Sequence, residues 1–403
     1  MYYIANTCSV MLQSAFFFLA VYYLGIAIFS LFPAKNQQFK DEKLRFAVIV
    51  PAHNEEKTLP ELLRSLAEQT YPKELFSVFV MADHCTDRTY EIAAAYHAIP
   101  LLRTGNDTSG KGAALFDALT QITSHPDSFD AFVVLDADNL ADSRFLEEIN
   151  QTMQQGNPIV QGYIDSKNPN GSWLSHAYSI WYWLSNRTIQ MGYDRLGIGC
   201  KLGGTGFAIS RRILEEVPWQ TTTMAEDAEY TIQLALNNKK VAYAPKAVVY
   251  DEKPTSMSAS VKQRIRWAQG MTQVQRDLSG KLLRKGKWNA FLRFWSDLLA
   301  PLSFILFLVL DFFSITNFLE LTSVRFVELW TKPFPFILLN CYLLGTLFIM
   351  IYGLFLDRKW NRNLLLNLFG FLLYIASWIP AGLIGIFKHR KNEWYHTKHH
   401  SSI

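Results

Sequence analysis

The sequence predicts an α/β domain built on a parallel sheet and set between transmembrane α-helices. Three observations carry this expectation. No side chain from Met1 to Ala34 is charged. From Leu44 onward, short apolar runs alternate with stretches of helical spacing. Beyond Asp297 come three more long apolar runs. The expected division is a membrane helix (1–34), a soluble domain (44–280), an interfacial helix (281–296), C-terminal membrane helices (297–387) and a basic tail (388–403). Of the 403 residues, 50% are hydrophobic and 14% aromatic, which is rich for a soluble protein. A net charge of only +4 gives no reason to expect nucleic acid as a partner. Cys8, Cys85, Cys200 and Cys341 lack metal-like spacing and read as reduced or buried thiols.

The stretch Ser9 to Phe32 is uncharged, and about 20 apolar residues suffice to cross a bilayer. A secretory signal would want a basic start, which is absent. The first cations, Lys35, Lys40, Lys43 and Arg45, follow the helix. The positive-inside rule then puts the N-terminus outside and the following domain in the cytoplasm. In that domain Phe46 to Val50 reads as a strand ending at Pro51. Thr58 to Glu68 reads as a helix, with Leu59, Leu62, Leu63 and Leu66 on one face. A second strand runs through FSVFVM into Asp83, a helix begins near Arg88, another follows Gly110, and VVLDADN is the next strand. Alternating strands and helices predict a parallel sheet, with ligands beyond the carboxyl ends of its strands. Leu282 to Trp295 mixes Lys and Arg with Trp, Phe and Leu, which suits a helix lying on a membrane surface or an ordinary surface helix. The later apolar runs are roughly 297–319, 334–356 and 364–387, and the first contains Asp311. Three crossings would leave the basic tail outside, so one run is expected to be re-entrant or interfacial.

Asp136 and Asp138 stand two positions apart after three apolar residues. Alternate residues of an extended chain share a side, and two carboxylates there repel unless a cation sits between them. A hard divalent metal is one such cation. A solvated turn after a strand is the other reading. Lys111 follows a glycine and opens a helix, where an anion or plain solvent would suit it. Asp227 stands at a helix start, where a base and an N-cap are both chemically reasonable.

The ordered set VIVPAHNEE, ADHCTD, GKGAAL, LDADN, GGTGFAISRR, AEDAEY and QRIRW resembles the membrane-embedded family-two glycosyltransferases. That group holds the cellulose, chitin, hyaluronan and poly-N-acetylglucosamine synthases. The resemblance implies a GT-A-type, Rossmann-like transferase domain inserted between transmembrane helices. It implies inverting transfer from a UDP-sugar with Mg²⁺ or Mn²⁺ as cofactor. On that pattern Asp138 and Asp136 hold the metal, and Glu55, Asp83, Lys111, Asp136 and Arg266 bind the nucleotide sugar. Asp227 is the base. Gln263, Trp267, Gly204, Thr205 and Glu226 lie on the acceptor side. Two departures stand out: Ala82 precedes Asp83 where the family often has a second aspartate, and Ala225 replaces the usual threonine before Glu226.

The expected activity is a processive synthase extending a β-linked polysaccharide. The alternative is a single transfer to a membrane lipid. A pore for a polymer would call for a second copy or an accessory protein, since about four spans make a narrow channel. A scaffold or transporter would have had no need to keep Asp138, Asp227 and Arg266, and all three are present. The expected location is a bacterial inner membrane, multi-pass, with the catalytic domain cytoplasmic.

Overall fold

The computed structural model describes residues 2–32, 42–103, 110–125, 128–321, 323, 328–359 and 368–389. Residues 33–34 of the expected N-terminal span, the start of the last apolar run at 364–367 and the tail beyond His389 lie outside them. The chain opens with α1 (Tyr2–Phe29). The domain then runs β1 (Phe46–Ala52), α2 (Leu59–Ala67), β2 (Phe76–Ala82), α3 (Thr89–Ala95), β3 (Ile99–Leu102), α4 (Lys111–Thr123), β4 (Ala131–Val134), β5 (Leu140–Ala141) and α5 (Phe145–Gln154). It continues with β6 (Ile159–Ser166), α6 (Trp173–Leu184), α7 (Met191–Arg195), β7 (Phe207–Ser210), α8 (Arg211–Glu216), α9 (Glu226–Leu236) and β8 (Ala242–Asp251). Among the described residues the helices that follow are α10 (Met257–Arg284), α11 (Trp288–Phe318), α12 (Glu328–Thr331), α13 (Pro333–Leu356), α14 (Leu368–Ala376) and α15 (Trp378–Lys388).

β1 shows why the sheet is central. All but one of its side chains are buried. Phe46, Val48 and Val50 face α2, α3 and α5, while Ala47 and Ile49 face α4, α6 and α9. A strand covered on both sides must be apolar throughout. The leucine face of α2 closes one layer, with Leu59, Leu62, Leu63 and Leu66 all buried. Each contributes on the order of 1.5–3 kcal/mol.

The sheet is mixed and not parallel as expected. Its order is β3-β2-β1-β4-β7-β6-β8-β5. β1, β2, β3 and β4 are parallel, as are β6 and β8, but β7 lies antiparallel between β4 and β6. The alternation of strand and helix holds only as far as β4. The chain then reverses: it leaves β6 through α6 and α7 and returns through Gly203–Gly206 at the carboxyl end of β4, where Gly206 N–H donates to the Val134 carbonyl (2.9 Å). The reversal brings a glycine loop to the strand end that carries Asp136. The parallel β6–β8 pair brings Asp251 to the same edge.

Among the described residues, three helical segments are long and apolar enough to cross a membrane: Val10–Phe29, Pro333–Leu356 and Phe369–Lys388. The expected interfacial segment is divided. α10 stops at Arg284, Gly286 turns the chain with φ +65°, and Trp288 opens the 31-residue α11. α11 joins that segment to the apolar run containing Asp311, so the two form one helix. Phe17 of α1, Phe307 of α11, Trp330 of α12 and Tyr342 of α13 meet ring against ring at 5.2–6.1 Å. The last run behaves differently, because α14 and α15 lie along the domain. A Cβ on Gly370 would touch Trp173 at 3.2 Å, and one on Gly385 would collide with Ala268 at 2.5 Å. Gln269 donates to the Lys388 carbonyl (3.2 Å) and Gln273 to that of His389 (2.9 Å).

The inner ends of two helices are fastened to the domain. A Cβ on Gly192 would meet the Ile26 carbonyl at 2.4 Å, so α1 packs backbone to backbone on α7. Just after α13, Asp357 pairs with Arg187 (3.2 Å) and Lys359 with Asp165 (2.6 Å).

Candidate active site

The carboxyl ends of β1, β2 and β4 present Glu55, Asp83 and the Asp136–Asp138 pair to one edge. Asp83 follows β2, and its N–H donates to the Ala52 carbonyl (2.8 Å), tying the two strand ends together. Its carboxylate takes the Arg103 guanidinium at 2.7 Å and the His84 ring nitrogen at 2.6 Å. Glu55 sits on the neighbouring turn. Its carboxylate accepts from the Thr58 hydroxyl (2.7 Å), and its N–H donates to Thr89 (2.9 Å).

The Asp136 N–H is held by Asn139 Oδ1 (3.2 Å) and Thr205 Oγ1 (3.0 Å), which fixes the turn after β4. Asn139 is wholly buried and donates to both Asp138 (3.2 Å) and Asp251 (3.1 Å). Asp251 is also paired with the buried Lys253 at 2.6 Å. Burial, then the charges of Asp251, Asp136 and Glu252, push the Asp138 carboxyl well above the usual carboxylate range. A buried acid beside three other carboxylates is the electrostatic setting that a divalent cation relieves. All donors are hard oxygens, which fits Mg²⁺ or Mn²⁺. Among the described residues no three His, Cys, Asp or Glu side chains converge to hold an ion. A two-carboxylate site completed by substrate phosphates matches the way Mg²⁺ is usually held.

Lys111 opens α4 as expected, but its ammonium does not face an open anion site. It contacts Asp136, donates to the Gly204 carbonyl (2.8 Å) and lies 3.9 Å from Glu226. Gly204 has φ +83°, and a Cβ there would sit 3.4 Å from Asp227 Oδ2 and 3.8 Å from Lys111 Nζ. Only a glycine gives this approach without strain. Asp136, Lys111, Gly204, Glu226 and Asp227 are therefore one contiguous cluster. Thr205 sits beside them, bonded through its hydroxyl to Asn139.

Asp227 is not the N-cap of α9. Ala225 holds that position, and Asp227 lies within the first turn, accepting from the Ala228 N–H at 2.7 Å. Burial raises its carboxyl, while that N–H, Lys111 and Lys201 pull it back. Burial lifts Glu226 to about 7, against the pull of Lys111 and with the push of Asp227.

In α10, Gln263, Arg266, Trp267 and Gly270 fall on one face by helical spacing. Gly270 packs directly on the residue before the acid pair: a Cβ there would meet the Ala225 N–H at 2.7 Å. This contact carries the QRIRW face to the mouth of the α9 helix. Arg266 is half-buried, with no carboxylate partner among the described residues. Gln263 Oε1 is buried without a hydrogen bond among them.

Several participants carried no assignment in the sequence. Asn139 stood inside VVLDADN, and its own spacing was the available signal. His53 and His84, inside VIVPAHNEE and ADHCTD, and Arg103, outside any motif, surround Asp83. Asp251 and Lys253 close β8, with Asp251 112 residues from Asn139, and no local spacing links them.

A doubly covered α/β sheet with an acid pair and a glycine loop at its carboxyl edge, flanked by apolar helices, defines a GT-A-like glycosyltransferase. The chain superposes on the mannosyltransferase of Pyrobaculum calidifontis solved with GDP-mannose and Mn²⁺, with a TM-score of 0.60, 18% identity and coverage of 94% of this chain and 98% of that one. At that identity the likeness speaks for the fold alone. Residues 44–270, more than half of the chain, match the family model described as glycosyltransferase like family 2, and the chain belongs to that family. A probable glycosyltransferase of Bacillus subtilis, YdaM, is 24% identical, over 89% of this chain and 87% of its own. The β-monoglucosyldiacylglycerol synthase of a Nostoc species is 27% identical, over 61% of this chain and 54% of its own, so the match spans about half of that relative. The poly-β-1,6-N-acetyl-D-glucosamine synthase of Staphylococcus epidermidis is 23% identical, over 86% and 81%.

Proposed function

We propose that the chain is a metal-dependent, inverting transferase. It moves a sugar from a nucleotide-diphosphate donor, a UDP-sugar foremost, to a hydroxyl acceptor presented at the membrane. The observation that carries this reading is the cluster around Lys111. It joins the metal-side carboxylate Asp136 to the buried acid pair Glu226–Asp227. Asp227 is the base. It takes the proton of the acceptor hydroxyl as that oxygen bonds to the anomeric carbon from the face opposite the diphosphate. The bond from that carbon to the diphosphate oxygen breaks, and the diphosphate leaves with the electron pair. Asp138 and Asp136 are suited to hold Mg²⁺ or Mn²⁺, which when bound supplies Lewis-acid stabilisation of the leaving diphosphate. Arg266 adds a forked donor for phosphate oxygens. Asp83, Arg103 and Glu55 border the nucleotide, and Trp267 offers an apolar face to the acceptor sugar.

The favoured acceptor is a single lipid-borne hydroxyl. The apolar and aromatic contacts among α1, α11, α12 and α13 pack those helices against one another, which favours a single transfer over conduction of a polymer by one copy. Processive synthesis is the second reading, supported by the long match to the staphylococcal polysaccharide synthase, and it would call for a homo-oligomer or an accessory protein. We read α14 and α15 as interfacial despite their length and apolarity, with α1, α13 and α11, whose apolar stretch is Ile305–Phe318, crossing the membrane. The tail then returns to the side of the domain, the cytoplasmic face of an inner membrane, as its basic residues require.

The test is product size. The purified protein is incubated with Mn²⁺, native membrane lipids and labelled UDP-glucose, UDP-N-acetylglucosamine or GDP-mannose, one at a time. One small lipid-extractable product supports single transfer. A high-molecular-weight ladder supports the synthase. Labelled product without added divalent metal, after chelation, would overturn the metal assignment.

A further inference from the structure

Arg264 lies within QRIRW yet faces away from the acid cluster, and it is wholly buried. A buried cation ordinarily keeps a carboxylate beside it. Among the described residues Arg264 has none. Its guanidinium instead donates to the Tyr374 carbonyl (3.2 Å), the Ser377 hydroxyl (2.7 Å) and the Ser260 carbonyl (3.3 Å). It also lies over the rings of Tyr374 (5.1 Å) and Trp378 (5.6 Å). The Tyr374 carbonyl belongs to the last turn of α14, where carbonyls lack helical partners and carry the negative end of the dipole. Arg264 is thus a cap for α14 supplied by α10. The break between α14 and α15 is pinned beside Trp267.

The consequence reaches the site. The Trp378 ring, at the start of α15, lies nearly parallel to Trp267, with centroids 5.9 Å apart and planes 24° apart. Tyr178 of α6 meets Trp267 edge-on (6.4 Å) and Tyr374 at 4.6 Å. Trp267 is half-buried, so part of its ring stays open while another part rests on a helix more than a hundred residues further along.

We propose that the C-terminal helix pair forms part of the acceptor site. Trp378 is a positioning residue that sets the plane of Trp267 against the acceptor's pyranose or polyol group, and Arg264 holds the pair in register. This rests on the reading of Trp267 as the acceptor platform.

The test separates transfer from donor hydrolysis. It uses the full chain in detergent, the donor that labels product in the assay above, and native membrane lipids as acceptor. Trp378→Ala should raise the acceptor concentration for half-maximal rate ~10-fold, the scale of one lost aromatic contact. Acceptor-free donor hydrolysis should stay within about twofold. Trp378→Phe keeps a ring and should recover most of the loss. Arg264→Met should reproduce the alanine phenotype; if that variant does not fold, the Trp378 pair decides alone. Parallel loss of transfer and hydrolysis in Trp378→Ala would mean a merely structural role and overturn the proposal. An unchanged acceptor requirement there, with a raised one in Trp267→Ala, would overturn it while sparing the platform. An unchanged requirement in Trp267→Ala would remove the platform and the inference together.

Discussion

On the proposed function, the donor side and the acceptor side of the site are built differently. The donor side is local: Glu55, Asp83, Asp136 and Asp138 each stand within a few residues of a strand end, and parallel strands align those ends. The acceptor side is assembled from afar. An antiparallel strand returns the glycine loop, α9 supplies the acid pair, α10 lays its QRIRW face over them, and α14–α15 support α10 from behind. A short motif can report a strand end. It cannot report what packs against the far face of a helix.

The most damaging change should be Asp227→Asn. Loss of a general base costs on the order of 10²–10⁴ in rate, while UDP binding measured by calorimetry should hold. Near-normal turnover would hand the role to Glu226 and dissolve the division between the two sides. Asp138→Ala should act on the donor side alone and weaken Mn²⁺-dependent UDP binding by roughly 10–100-fold, as loss of groups around a metal commonly does. Equal binding with and without Mn²⁺ in the parent and the variant would take Asp138 out of the site.

Lys111→Met probes the seam between the sides. Lys111 lowers both Glu226 and Asp227, which burial raises. Removing its charge must lift them further, so the acidic limb of kcat/KM should move up by about one pH unit. An unmoved limb would show that the lysine serves the donor alone. The same balance sets a stability trend. Glu226 keeps a proton in the folded state up to about 7 that the unfolded chain releases near 4.5. Its contribution is therefore full below 4.5 and is lost as pH rises to about 7. The smallest effect should come from Gly204→Ala, a strain of about 1–2 kcal/mol at positive φ, read as a lowered Tm with kcat reduced and donor binding kept.

Much of the fold around the proposed donor side was legible in the sequence. The strand of Asp136 and Asp138, the leucine face of α2 and the helix after Gly110 all follow from local periodicity. The parallel sheet was over-extended, because the alternation that justifies it ends at β4 and nothing local marks β7 as reversed. Lys111 read as an anion contact or a plain surface lysine; its carboxylate neighbours come from residues 136 and 226, which no local spacing links to it. The run 364–387 read as apolar enough for a crossing, with one of the three runs expected to be re-entrant or interfacial, and Phe369–Lys388 is long and apolar enough to cross; apolar composition suits lipid and a protein groove equally. Its contacts with Trp173, Arg264 and Gln269 come from residues far away in the chain, which no local pattern reports.

The fastening of α1 and α13 to one patch of the domain has a mechanical meaning. Gly192, Arg187 and Asp165 hold the inner ends of two rods against the same surface. In the proposed membrane arrangement these contacts restrain the sheet from swinging or lifting relative to the lipid plane. On that arrangement, an acceptor whose reactive oxygen stood too near to or too far from the membrane surface would fall outside its reach. The chain would then act as a gauge of headgroup length, sorting acceptors by elevation before any pocket reads their shape.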